Sequence, residues 1–277
     1  MVSTRGRVAK SDKLLDNLAR GRDDPQFFCR LFLGRTLHDS QMEFFVGSEA
    51  KLNCLATANR WGKTTLLSAL HFHAGIYKTG AEWRYFDAAM NFDLDVFTKL
   101  KYELVHTAGE WEQASFVWED ALQLIAQNEN LAPFVMAMPR SKPPHIKFIG
   151  GAKWMFRTLG VNASNIDGKS IYLLTIDEAG WVVDLDTMMR NVLRVRTADV
   201  YGRIVIVGTF KPGISRDFYK SCVRASAYTG RAISFDHQEG DEDPNEAHTL
   251  DSSIETYLKQ YGIDLSEYRD ALGYAER

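Results

Sequence analysis

The sequence predicts an α/β domain with a mostly parallel central sheet flanked by helices, and three observations carry that prediction. Short apolar runs rich in β-branched residues recur at 51–58 (KLNCLATA), 171–177 (IYLLTID) and 203–209 (RIVIVGT), as buried parallel strands require. Helical patterns separate them, the arrangement of strand-helix-strand folds. The stretch 63–77, KTTLLSALHFHAGIY, is apolar on nearly every side, which places that helix at the centre of a fold. With 277 residues, 45% hydrophobic and 25% charged, the chain can form one sizeable domain or two small ones, and collagen-like, low-complexity and largely disordered classes are excluded.

Each element follows in order. Residues 1–22 hold six Lys or Arg against two Asp, with little apolar content before Leu14, so residues 1–30 are expected to form a basic N-terminal arm. Within it, Asp24-Pro25 ahead of FFCRLFLG supplies an N-cap, a proline at the first helical position, an apolar stripe and a glycine stop. LHDSQMEFF reads as a second short helix. After the central helix, WRYFDAAM reads as a strand, and Leu94, Phe97, Leu100 and Leu104 follow helical spacing. HIKFIGGAKWMFRTL has two alternating runs around Gly150-Gly151, the signal of a hairpin. DLDTMMRNVLRV and SRDFYKSCVR are helical, and ISF is a last short strand. The main domain is expected to span 31–240. Residues 236–251 hold seven acids and no Lys or Arg, so 241–277 is expected to be an acidic linker and a helical segment, with Ser252 and Glu255 at capping-box spacing.

Charge and cysteine usage narrow the class. A net charge of −3 argues against a protein held to nucleic acid by bulk charge. Its distribution is uneven: residues 139–170 hold six Lys or Arg against one Asp, and residues 190–224 hold eight against two. Such segregation permits a local phosphate-binding face, although solvated loops explain any single patch as well. Cys29, Cys54 and Cys222 lie far apart with no CxxC pair, which suits a reducing cytosol. No run of about 18 apolar residues is present, and the N-terminus is polar and basic rather than a secretory signal. A soluble intracellular protein is expected.

The strongest chemical signal is TANRWGKT at 57–64. Its second half fits the phosphate-binding pattern ending in Gly-Lys-Thr, with Thr57 in place of the first glycine. It stands between a buried strand and a buried helix, as the mechanism needs. Backbone N–H groups at a helix N-terminus cradle phosphate oxygens, helped by the helix dipole. The candidate nucleotide-binding residues are Thr57, Ala58, Asn59, Arg60, Trp61, Gly62, Lys63, Thr64 and Thr65. Lys63 would reach the β- and γ-phosphates, Thr64 would hold Mg²⁺, and Gly62 lets the backbone close in. Trp61 is the one tryptophan expected near the nucleotide; the others read as core. A Gly-Lys-Thr triplet alone arises by chance, and its setting is what gives it weight.

LLTIDEA (173–179) is the second signal. Asp177 at the end of a buried strand would hold the Mg²⁺ shell, and Glu178 would polarise the attacking water as general base. Two acids in sequence favour hydrolysis of ATP over transfer to a small acceptor; the competing reading is a helix cap. Third, Gly208 and Thr209 end the next strand, where Thr209 would sense the γ-phosphate and relay its loss to the helix at 215–224; an ordinary turn is the alternative. Fourth, Gln41 carries an amide that can pair with both edges of adenine, although an exposed helical glutamine is the commoner case. Arg60 can reach the phosphates or Glu178. Motor ATPases commonly add a second arginine from a neighbouring subunit, and Arg157 is the preferred candidate, ahead of Arg194, Arg196 and Arg203; a surface salt bridge is the alternative for each. His71 and His73, two apart on a helix, point to different faces and are no metal pair.

Taken in order, LHDSQMEFF, TANRWGKTT, LLTIDEA and IVIVGTFKPGISRDFYK resemble the ATPase domain of the large terminase subunit, the DNA-packaging motor of tailed bacteriophages. DEDPNE and YRDALGYAER resemble the connection between its ATPase and nuclease domains. The likeness spans about residues 30–277. Phe210 stands where proline is usual. NIDGK (165–169) stands where many members have an Arg-Gly pair, so no arginine finger carries over there. The resemblance implies a RecA-like (ASCE) phosphate-loop NTPase fold and Mg²⁺-dependent ATP hydrolysis that pushes double-stranded DNA into a procapsid. It also implies copies of the chain in a ring, a portal protein, a small terminase subunit, and the cytoplasm of an infected bacterial host. Nuclease activity is not expected, since no cluster of acids after residue 251 could hold two metals.

Three rivals remain open. A helicase-like translocase usually needs two tandem RecA-like domains and an arginine-rich Q-x-x-G-R-x-G-R segment, which is not present. A nucleotide-gated binding module would have no need of Glu178 as a base. A small-molecule kinase is disfavoured by the Asp177-Glu178 pair.

Overall fold

A computed structural model describes residues 16–77, 103–140, 143–148, 151–166, 168–198, 200–209, 215–229, 232–235 and 248–249. The chain enters through α1 (Pro25–Phe28), which a π-helical turn extends to Leu33, and then α2 (Asp39–Gly47). Asp24 caps α1, its carboxylate accepting from the Phe27 N–H at 2.9 Å, and Gly34 ends the π turn in the left-handed region. Next come β1 (Leu52–Thr57), α3 (Lys63–Tyr77), β2 (Glu103–Ala108) and α4 (Trp111–Gln127). A meander follows: β3 (Val135–Ala137), β4 (His145–Phe148) and β5 (Lys153–Thr158). Then come β6 (Ile171–Asp177), α5 (Leu185–Met188), α6 (Arg194–Ala198), β7 (Arg203–Gly208), α7 (Arg216–Thr229), β8 (Ala232–Phe235) and β9 (His248–Thr249).

These strands form one sheet in the order β3-β4-β5-β2-β6-β7-β1-β8-β9. The six from β5 to β8 are parallel, while β3, β4 and β9 add antiparallel borders. Side chains alternate across each strand, so the sheet feeds two cores. Leu55, Leu104, Trp154, Phe156, Leu173, Val205 and Val207 pack with α1 to α4 on one face. Cys54, Val105, Met155, Leu174, Ile176 and Ile206 pack with α5 and α7 on the other. Parallel strands share direction, which gathers their carboxyl ends along one edge and their amino ends along the other.

The strands at β1, β6 and β7, the central helix and the β4–β5 hairpin stand where the sequence placed them. Two elements do not. Leu104, read as the end of a helical stripe, lies in β2, whose buried polar His106 and Thr107 interrupt the apolar run. Helix α4 buries Ala114, Val117, Trp118, Ala121, Leu124 and Ile125, and the sequence reading placed no element there. Phe28 and Cys29, inside the expected arm, are buried in the core. The expected strand at 83–90, the helical stripe at 94–100, Phe210, the acidic stretch up to residue 247 and the last helical segment lie outside the described residues. No helix among the described residues is long and apolar enough to cross a membrane.

Candidate nucleotide-binding site

The phosphate loop joins the carboxyl end of β1 to the first turn of α3, at the edge where β6 and β7 also end. Arg60 sits at φ 67° and Gly62 at φ 94°, so the loop reverses through two left-handed residues. The positive φ at Gly62 strains any L side chain there, and a Cβ would also crowd Gln41 Nε2. Thr57 is buried, and its Oγ1 has no hydrogen-bond partner among the described residues. Ala58, Thr64 and Thr65 are half-buried, whereas Asn59 and Arg60 are exposed.

The first turn of α2 grips the loop by its carbonyls. His38 Nδ1 accepts from the Gln41 N–H at 3.2 Å and from the Ser40 hydroxyl at 2.8 Å, which assigns the other ring nitrogen as the N–H. That His38 Nε2–H donates to the Trp61 carbonyl at 3.1 Å. The Gln41 amide donates to the carbonyls of Trp61 at 3.3 Å and Gly62 at 3.1 Å, while its Oε1 accepts from the His38 N–H at 3.2 Å. Gln41 is therefore not an exposed helical glutamine: it is buried, with both ends of its amide engaged. The Trp61 ring is buried in the core, edge-on to His38 at 4.8 Å. His38 was missed, although it stands three residues before Gln41 at capping-box spacing.

Lys63 gathers the rest of the site. Its ammonium lies 3.5 Å from Glu178 Oε1 and donates to Thr209 Oγ1 at 3.3 Å and the Ala58 carbonyl at 3.4 Å. The loop, the acid strand and β7 thus meet at one side chain, which is where the sequence placed Lys63, Glu178 and Thr209. Asp177 is buried, and its Oδ1 accepts from the Glu178 N–H at 2.8 Å. Burial pushes its carboxyl up to about 6; the Glu178 charge adds to the shift, and the Glu178 N–H and Lys63 oppose it. Such a desolvated carboxylate is stabilised by a cation. Among the described residues no three His, Cys, Asp or Glu cluster as a metal cage. The hydroxyl of Thr64 and carboxylate of Asp177 are hard oxygen donors that leave further positions for phosphate and water, and this suits Mg²⁺.

Glu178 sits at φ 46°, a left-handed conformation that turns the chain sharply after β6. The turn then packs backbone against backbone on β7. A Cβ at Gly180 would meet the Thr209 carbonyl oxygen at 2.4 Å, and one at Gly208 would meet the N atoms of Ala179 and Gly180 at 3.1 Å. The Ser215 hydroxyl donates to the Gly180 carbonyl at 3.2 Å, which joins the acid turn to the start of α7. Gly180 and Ser215 carry no sequence signal of their own.

Arg60 is exposed on the loop, and the other expected arginines stand elsewhere among the described residues. Arg157, on β5, lies two strands from β6, about 10 Å at ordinary strand spacing. Its Nη1 donates to the Asn165 carbonyl at 2.6 Å, beside a cleft of about 370 Å³ that Trp111, Pro143 and Pro144 also line. Arg203 is buried at the amino end of β7, where it holds the Ser48 carbonyl at 2.7 Å and Glu49 at 2.8 Å. Arg194 lines a cavity at that same edge, and Arg196 shares its helix. His71 and His73 do face apart: His71 turns to β6, and His73 lies against Phe28 and Phe45.

No family model matches the chain, and no curated protein sequence does. Solved structures do. The HK97 bacteriophage large terminase superposes with a TM-score of 0.60 at 14% identity, over 87% of this chain and 52% of that one. The large terminase ATPase domain of Thermus phage P74-26 gives 0.50 at 14% identity, over 69% of this chain and 71% of that one. An arginine-to-alanine mutant of that domain gives 0.53 at 13% identity, over 87% and 94%. The fold is thus the RecA-like phosphate-loop α/β architecture seen in large terminase ATPase domains. The chain spans about half the length of the HK97 protein.

Proposed function

We propose that the chain is a Mg²⁺-dependent ATPase that drives double-stranded DNA, acting as a packaging motor of the large-terminase kind. The observation that carries this is the Lys63 ammonium set between Glu178 and Thr209, with Asp177 at the same strand end. Without nucleotide, Lys63 and Glu178 neutralise each other. An incoming γ-phosphate draws the ammonium to itself and frees Glu178 to take a proton from the attacking water. The loop's backbone N–H groups hold the β-phosphate, and Thr64 and Asp177 are the residues that would hold Mg²⁺. Bound there, the ion would neutralise charge on the β- and γ-oxygens. Thr209, already bonded to Lys63, would then lose or keep that contact with the state of the phosphate, and the Gly180–Ser215 bond offers a route from the acid turn to α7.

In this reading the partners are DNA, further copies in a ring, a portal protein and a small terminase subunit, in the cytoplasm of an infected host. The amino edge of the sheet, opposite the nucleotide, carries Lys147, Lys153 and Lys169, and is assigned to the DNA backbone. A completing arginine would come from a neighbouring copy, with Arg157, half-buried at the carboxyl end of β5, the candidate.

The test is turnover of ATP by the wild-type chain and Glu178→Gln, each across a hundredfold range of protein concentration. Loss of the base is expected to lower turnover by about 10²–10⁴-fold while nucleotide binding persists. Wild-type specific activity that rises with concentration supports completion between subunits. Undiminished turnover by the Gln variant would sink the assignment of Glu178, and a wild-type chain that binds ATP without turnover would favour the binding module.

A further inference from the structure

The core beneath the site holds a polar group that the proposed chemistry does not use. Thr175 Oγ1 lies 2.7 Å from His71 Nε2 and 2.9 Å from His106 Nδ1, and all three side chains are fully buried. His71 stacks on Trp154, with ring centroids 4.5 Å apart and planes within 9°, which fixes its orientation. Burial keeps both imidazoles neutral: it pushes His106 down to about 3 and His71 well below its ordinary range, where His106 and Arg203 add to the shift. The hydroxyl has one proton for two contacts, so Thr175 donates to one ring and accepts from the other. The outer atoms, His71 Nδ1 and His106 Nε2, have no hydrogen-bond partner among the described residues. Leaving such atoms dry is costly, and an apolar trio of similar size would avoid that cost.

Placement explains what the network holds. Thr175 stands two residues before Asp177 on β6, and the pleat puts both on the face that packs against α3. His71 stands seven residues after Thr64 on α3, on the same stripe of that helix. His106 is the register partner of Thr175 on β2. The contacts therefore join the same helix face and strand face that Thr64 and Asp177 occupy above them. They lie about 7 Å lower along the strand and about 10 Å lower along the helix.

We propose that His71, Thr175 and His106 are positioning residues that fix the spacing between α3 and β6, so that Thr64 and Asp177 can share one Mg²⁺. This rests on the reading of the edge above as a Mg²⁺–nucleotide site. The test titrates Mg²⁺ into the full chain bound to a fluorescent ATP analogue, with affinity in EDTA as the baseline. Thr175→Val is expected to leave the EDTA affinity within about twofold and to raise the Mg²⁺ midpoint about five- to tenfold, the weight of a lost buried hydrogen bond. Thr175→Ser, which keeps the hydroxyl, is expected to hold the wild-type midpoint.

An unshifted midpoint for the Val variant, or an equal shift for Ser and Val, overturns the proposal. If Thr175→Val does not fold, His71→Gln and His71→Leu carry the same contrast. Gln sets an amide nitrogen near the lost Nε2 and is expected to keep the midpoint, whereas Leu raises it. Equal midpoints for those two overturn the proposal. If the wild-type chain binds no analogue either with Mg²⁺ or in EDTA, the nucleotide reading itself fails, and this inference with it.

Discussion

Gln41 turns both ends of its amide to the protein, and that changes what the residue is expected to do. It holds the carbonyls of Trp61 and Gly62, part of the backbone that would cradle a phosphate in the proposed site. Gln41→Leu is therefore expected to weaken ATP and GTP binding alike, by about five- to tenfold, since the loss falls on the loop and not on the base. Titrations with fluorescent ATP and GTP analogues check this; a loss confined to ATP would restore the adenine-reading role. The meeting of Lys63, Glu178 and Thr209 was legible from sequence because short patterns at strand ends mark where a loop and neighbouring strands converge. The clamp from His38 and Gln41 was not, because it crosses about twenty positions and exists only once α2 packs on the loop. The burial of Trp61 was hidden for the same reason.

Helix α3 shows how far a single element can be read. Its all-round apolar pattern placed it at the centre of the fold, and it is buried there. What the pattern concealed is that its two histidines are locked neutral within the core. Burial pushes His73 down to about 4, and it acts on His71 in the same direction; His106, on β2, falls to about 3. Below pH ~6.5 the unfolded chain takes up protons that these native rings refuse, so their contribution is present above that pH and is lost as pH falls toward 4. Asp177 works in the opposite sense: its raised carboxyl favours the folded state as pH falls through about 6. Three histidines outweigh one aspartate, and stability at pH ~5.5 is expected to lie about 3 kcal/mol below that at pH ~7.5. Urea midpoints at the two pH values measure it, and His73→Phe should recover about 1 kcal/mol of the difference. An equal midpoint at both pH values would mean that the rings charge within the folded core. The same buried polar residues explain why β2 was unreadable: His106 and Thr107 break the apolar run that marks a strand, although both point into packed interior. Helix α4, which the sequence reading missed, buries an ordinary apolar stripe of Ala114, Val117, Trp118, Ala121, Leu124 and Ile125.

At the scale of the molecule, the alternation of strands and helices was enough for the fold class, while the order of the strands was not, because crossovers leave no local mark. That order separates the two edges. The carboxyl edge brings together the phosphate loop, Asp177, Glu178 and Thr209. The basic segments of the sequence do not share one edge: Arg157 lies toward the carboxyl ends, whereas Lys147, Lys153, Lys169, Arg194 and Arg203 lie at the amino ends. There Lys147 and Lys153 are direct cross-strand partners, an arrangement that like charges disfavour. Lys169 stands 4.0 Å from Glu103. Burial lowers the Lys153 pKa, Glu103 opposes that, and Lys169 and Lys147 add to it, so a further negative charge would be favoured here. A phosphate backbone would supply it. Replacing the three lysines with glutamine is expected to lower the slope of log affinity for duplex DNA against log salt by about 2–3, close to one phosphate per lysine. ATP turnover without DNA should stay within about twofold, since the cluster lies at the far edge of the sheet and the substitution removes no partner of the nucleotide site. An unchanged slope with intact turnover would move the DNA to another surface and leave the nucleotide site as it stands. A fall in both together would mean that the edges are coupled through the sheet, with the amino edge reporting on the phosphate loop even when no DNA is bound.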